Sequence, residues 1–126
     1  MAIKINNIKA TGIELTPAIR DYFTKKVALL EKLVPPEDES VAADLEVGKT
    51  TAHHQSGDVF RAEINLHAYG EILRAEAVRE DLYAAIDETK DEMADILRKK
   101  KKKNNTLRRK GGAWIKKILR GMGGRT

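Results

Sequence analysis

Two runs of strict alternation stand back to back between Phe60 and Ala77, and they restrict the fold more than anything else in the chain. Phe60, Ala62, Ile64 and Leu66 alternate with Arg61, Glu63, Asn65 and His67; Leu73, Ala75 and Ala77 alternate with Arg74 and Glu76. A period of two is that of a half-buried strand, and Tyr69-Gly70-Glu71 supplies a tight reversal between the runs. The expected product is an antiparallel hairpin with one apolar and one charged face. A hairpin alone is marginal in water, so the apolar face must be covered. The small Ala75 and Ala77 predict that the cover packs close. The chain has no cysteine, so no disulfide, thiolate zinc site or cysteine nucleophile is available. A reducing, cytoplasmic setting is expected.

The remaining segments supply the cover. Ile3 and Ile5 alternate with Lys4 and Asn6, predicting a first strand that ends in the polar stretch up to Gly12. Thr16-Pro17 offers a side-chain cap and a first-turn proline, and Ile19, Phe23, Val27, Leu30 and Val34 follow at helical spacing. A helix over Pro17 to Leu33 is predicted, stopped by Pro35-Pro36. Val41, Ala43, Leu45 and Val47 alternate with Ala42, Asp44 and Glu46 in a second strand. After the second hairpin strand, Glu80-Asp81 opens a helix whose stripe is Leu82, Ile86, Met93 and Leu97, predicted to run to about Lys100. The order is β-α-β-β-β-α, an α+β, two-layer sandwich with a four-stranded sheet and both helices on one face. The first crossover makes its two strands parallel if they are neighbours. At 126 residues, the chain has room for one such domain, placed at 1–103, and an appendage, 104–126.

Charge divides the same way. Up to Leu97 there are 11 basic and 19 acidic residues, a net of −8; the last 29 residues hold 13 basic residues and no acid. Arg98, Lys99, Lys100, Lys101, Lys102 and Lys103 are consecutive, and Arg108, Arg109, Lys110, Lys116, Lys117 and Arg120 follow. Self-repulsion predicts a flexible tail when unbound. Such a tail seeks a polyanion: nucleic acid, an anionic membrane surface or an acidic protein. Compensating a helix dipole takes one or two cations, so phosphate contact is the expected use of the remainder. Phosphate contacts position a protein without reading sequence.

Other features point to less. Trp114, Ile115, Ile118, Leu119 and Met122 recur at helical spacing among basic residues, a short amphipathic segment that could be a disordered end, a membrane-surface anchor or an element that folds onto an RNA or protein partner. Its apolar face is short for a membrane anchor, and no apolar run has bilayer length. His53-His54 beside Asp58 lacks a third ligand at suitable spacing, so neither a metal nor a cofactor is expected. Gly111-Gly112 and Gly121 to Gly124 follow no strand and make no nucleotide loop. Asp44 and Glu46 lie on a solvated strand face, and no catalysis is expected. Tyr83 and Phe60 are expected to pack.

Taken with the element order, Leu15-Thr16-Pro17-Ala18-Ile19-Arg20, His53 to Asp58, Phe60 to Leu66 and above all Glu80-Asp81-Leu82-Tyr83-Ala84-Ala85-Ile86-Asp87 resemble the bacterial ribosome hibernation factor family over about residues 2 to 103. The resemblance implies a non-catalytic protein of stress and stationary phase. Such a protein lies in the mRNA and tRNA channel of the small ribosomal subunit, contacts ribosomal RNA, excludes tRNA and mRNA and stores idle ribosomes. It also implies a monomer off the ribosome. Arg20 and Lys26 on the first helix, with Lys25 beside them, and Lys99 and Lys101 on the last match basic places of the family.

The chain departs from the family where Glu92, Asp95 and Ile96 replace frequent polar or basic residues of the last helix and Leu29 replaces a frequent Lys. The expectation is that the cationic work has moved into Arg98 to Lys103 and the tail. A short form without the C-terminal dimerisation domain of long members is expected. The rival readings are a general RNA-binding protein acting through its tail and a membrane-associated regulator. The acidic strand positions Asp44, Glu46, Glu63 and Glu76 are expected to form a face that repels RNA, so that the domain seats one way round.

Overall fold

The computed structural model describes the backbone of residues 3–50 and 59–125 and the side chains of residues 3–50 and 59–106. Four strands, β1 (Lys4–Thr11), β2 (Ala42–Thr50), β3 (Val59–Ala68) and β4 (Glu71–Arg79), form one sheet in the order β1-β2-β3-β4. β1 and β2 are parallel, joined by helix α1 (Pro17–Ala28), and the other neighbours are antiparallel. Helix α2 (Leu82–Arg125) follows β4. The β-α-β-β-β-α sandwich is as the alternations predict.

The hairpin has the expected register. Leu66 faces Leu73, Ile64 faces Ala75 and Ala62 faces Ala77, all of them buried. The turn places Tyr69 at φ 54° and Gly70 at φ 71°, the two positive angles that match a two-residue turn to the strand twist. Tyr69 carries a side chain there and is anchored by its hydroxyl, which donates to the Leu33 carbonyl at 3.0 Å.

The core lies between the sheet's inner face and the helices. Phe23 and Val27 of α1 meet Leu45, Ile64, Leu66, Ile86, Met93 and Leu97 there. Close approach of α2 explains the alanines: the buried Thr89 hydroxyl lies 2.7 Å from the Ala85 carbonyl of its own helix and 3.1 Å from the Ala62 carbonyl of β3. Both helix starts are capped by the residues that predict them. Thr16 Oγ1 accepts from the Ile19 N–H, and Asp81 Oδ2 from the Ala84 N–H.

Two helix boundaries differ from expectation, whereas β1 ends at Thr11, within the polar stretch up to Gly12, and its register shifts between Ile5 and Asn7, which returns Ile8 and Ala10 to the inner face. A bulge of this kind resets a period-two pattern. α1 ends at Ala28, and Glu31–Leu33 form a 3-10 turn instead of a last helical turn. The apolar spacing persists because Leu30 and Val34 stay buried through the change of geometry. α2 does not end near Lys100; its 44 residues run to Arg125, a length of about 66 Å. No proline follows Pro36, and the added residues are mostly helix formers. The loop with His53, His54 and Asp58 lies outside the described residues, as do the side chains of Arg108, Arg109, Lys110, Trp114, Lys116, Lys117 and Arg120.

Candidate nucleic-acid interface

The helices are joined at their exposed edge by a polar contact. Tyr22 of α1 donates its hydroxyl to Asp87 Oδ1 of α2 at 2.6 Å, and Lys26 Nζ lies 3.2 Å from the same oxygen. Tyr83 meets the Tyr22 ring edge-on, with centroids 4.7 Å apart and planes at 87°, and Lys26 Nζ stands 5.2 Å from the Tyr22 centroid. The contact needs tyrosine on one helix and aspartate on the other, in register. No local pattern announces it.

These contacts govern the group's titration. Burial pushes the Asp87 carboxyl up, but the hydrogen bonds from Tyr22 and Lys26 outweigh it and hold Asp87 below its ordinary 3.8. The Tyr22 hydroxyl is raised above 10.0, first by its hydrogen bond to Asp87 and then by burial. A depressed carboxyl means that the unfolded chain binds more protons in acid, so its stabilising effect is present above 3.8 and is lost as pH falls through the folded value. Asp87→Asn is expected to flatten part of that acid decline, measured as urea midpoints from about pH 5 to pH 2. An unchanged acid limb would remove Asp87 from the account.

The cations expected on α1 do not form one surface. Arg20, Lys25 and Lys26 are spread around the helix at about 100° per residue. Arg20 and Lys25 are exposed and make no ion pair among the described residues, whereas Lys26 is half-buried and engaged by Asp87.

Six consecutive basic residues must likewise wrap around α2, and the structure divides them. Lys100 reaches back to Glu71 at 2.6 Å, and Lys101 donates to the Lys32 carbonyl at 3.2 Å. Both anchor the helix to the domain. Arg98, Lys99, Lys102 and Lys103 are exposed on the side away from buried Leu97, and of these only Arg98 has an ion pair among the described residues, with Asp95 at 2.8 Å. Glu88, Glu92 and Asp95 lie upstream on the same stripe at helical spacing. The outward face of α2 therefore changes sign after Asp95, acidic toward the helix start and basic beyond.

Lys32 is a cation that the sequence reading missed. It is exposed on the 3-10 turn, and its carbonyl holds Lys101, which brings it beside the basic run. Its only sequence signal is its place just before Pro35-Pro36.

The outer sheet face carries the expected acids, but they are interleaved with arginines. Arg61 lies 3.2 Å from Glu46, 2.7 Å from Glu63 and 2.9 Å from Glu76, and Arg74 reaches Glu63 at 2.6 Å and Glu76 at 2.7 Å. His67 lies 3.4 Å from Asp44. Alternation places acids and arginines on this face alike, and the two arginines offset about half of the charge of Asp44, Glu46, Glu63 and Glu76.

Comparison with known proteins agrees with this architecture. The family described as Sigma 54 modulation protein / S30EA ribosomal protein matches residues 6–105. A ribosome hibernation promoting factor of Klebsiella oxytoca is 37% identical over 93 residues, covering 74% of this chain and 88% of the relative. A ribosome hibernation promotion factor of Bacillus subtilis is 32% identical over 120 residues, covering 95% of this chain but only 60% of the relative. Among solved structures, the N-terminal domain of Thermus thermophilus Protein Y superposes with a TM-score of 0.65 at 29% identity, over 76% of this chain and 97% of that one. The chain belongs to the Sigma 54 modulation protein / S30EA ribosomal protein family, the family of the ribosome hibernation factors.

Proposed function

We propose that this protein binds the small ribosomal subunit in the mRNA and tRNA channel, excludes both ligands and holds the ribosome idle. Ribosome-associated translation regulation is the function its family supports. The observation that carries the finer reading is the stripe of Arg98, Lys99, Lys102 and Lys103, exposed on a helix whose other face closes the core. Lys32 stands beside this run, and Arg20 and Lys25 add separate exposed cations on α1. The domain sets the shape that occupies the channel, and phosphate contacts hold it there. Residues 104–125 carry α2 onward as a cationic extension. Like charges at helical spacing, such as Lys99 and Lys103, disfavour a helix in water, and phosphate removes that penalty. The reading places the protein in the cytoplasm; no helix among the described residues is long and apolar enough to cross a membrane.

A second reading is favoured by one observation, the 13 basic residues and no acid after Leu97. In that reading, the extension is a general RNA grip and the domain is passive. Co-sedimentation with small ribosomal subunits over a salt series separates them, comparing the full chain with one ending at Thr106 and competing each with initiator tRNA. Retained binding by the shorter chain with tRNA competition is expected. Binding by the full chain alone, displaced by any RNA, would favour the passive domain.

A further inference from the structure

The two edges of the sheet are built differently. β1 carries a bulge, and its exposed positions include Lys4 and Lys9, features that discourage another strand from pairing. β4 is paired to β3 without a register shift, contains no proline or lysine, and leaves Ile72 67% and Val78 38% exposed. Among the described residues, its outer backbone row meets only the Arg79 guanidinium, which folds onto the Val78 carbonyl. Such an edge is a template for strand addition.

The sequence of β4 specifies which strand fits. An antiparallel copy centred on Ala75 sets Ile72 against the partner's Val78, Arg74 against the partner's Glu76 and Glu71 against the partner's Arg79. Apolar meets apolar and each charge meets its opposite, the pairings that stabilise an antiparallel ladder. The helix above follows the same symmetry. Arg79 pairs with Glu88 and Glu71 with Lys100, so Ala75 lies below the middle of that span. A two-fold axis through Ala75 therefore lays the acidic half of one α2 alongside the basic half of the other.

We propose that the β4 edge is a self-association surface, and that two copies of this chain pair through it into one continuous eight-stranded sheet when they are off the ribosome. This replaces the monomer that the family resemblance implies, and it does not depend on where the protein binds the ribosome. Because pairing sets Glu88 and Glu92 of each chain beside the other's basic stripe, the dimer and an RNA complex compete for the same cations.

Sedimentation of the full chain from micromolar to millimolar concentration tests the proposal. A monomer–dimer equilibrium that weakens with added salt is expected; a monomer throughout overturns it. The exposed pair Ile72 and Val78 fixes the register without touching the core. I72K with V78K sets like charges opposite each other and is expected to abolish the dimer, whereas I72K with V78E restores opposite charges and is expected to keep it. Equal behaviour of the two double variants, each checked for an unchanged circular dichroism spectrum, would refute this register. Spin labels on Ile72→Cys should report a backbone separation of about 20 Å across the dimer, six residues of strand. A clearly different separation would place the interface elsewhere.

Discussion

Replacing Arg98, Lys99, Lys102 and Lys103 together by alanine is expected to weaken binding to small ribosomal subunits about a thousandfold near physiological salt. The estimate follows from counterion release. Each phosphate neutralised contributes about 0.9 to the slope of log affinity against log salt, or about 0.7 of a decade at 0.15 M, and four such contacts add to about three decades. The salt slope should become shallower by about 3 to 4. Because the four side chains point away from Leu97, the fold should survive, which circular dichroism would verify. The informative control is Lys100→Ala with Lys101→Ala. Those ammonium groups already serve Glu71 and the Lys32 carbonyl, so their removal should cost less affinity. Equal losses from the two variants would sink the assignment of the outward stripe.

Phe23→Ala is expected to destabilise the domain by about 3–5 kcal/mol, the range for truncating a fully buried aromatic ring. Small domains are stable by only about 5–15 kcal/mol, so a large part of the total is at stake. Phe23 is completely buried and, with Val27 and Leu30, supplies the apolar face by which the first helical segment meets the core. The polar contact of Tyr22 and Lys26 with Asp87 sits at the exposed edge of α1 and cannot replace that burial. Urea denaturation should show a lower midpoint with an unchanged m value. A midpoint that does not move would mean that α1 is held by something other than its apolar face.

The sheet was legible because strand alternation is a local property. Phe60 to Leu66 and Leu73 to Ala77 announce both their faces and their pairing, and the turn between them fixes the register. Capping is equally local, as Thr16 and Asp81 demonstrate. Legibility fails where geometry changes beneath a constant pattern. Asn6-Asn7 absorbs a bulge that breaks the alternation within a strand, and Leu30 to Val34 keeps a helical spacing while the chain turns through a 3-10 segment.

The cations show a different limit. Basic composition marks Lys26, Lys100 and Lys101 as strongly as Lys99, Lys102 and Lys103, yet the first three are engaged within the domain. Their partners Asp87, Glu71 and Lys32 are remote in sequence, so only the fold separates anchoring cations from available ones. The same holds for Glu46, Glu63 and Glu76, whose negative charge is offset in part by Arg61 and Arg74 on neighbouring positions of the sheet.

The strands stand in the sheet in the order in which they occur in the chain. During synthesis, each new strand can join an existing edge, and none has to insert between two that are already paired. The apolar inner face of that growing sheet is covered only in part, by Phe23 and Val27 of α1, until Ile86, Met93 and Leu97 emerge. The nascent domain is thus most exposed to aggregation just before its last core residues appear, and its cationic extension leaves the ribosome only after the acidic domain has the means to close.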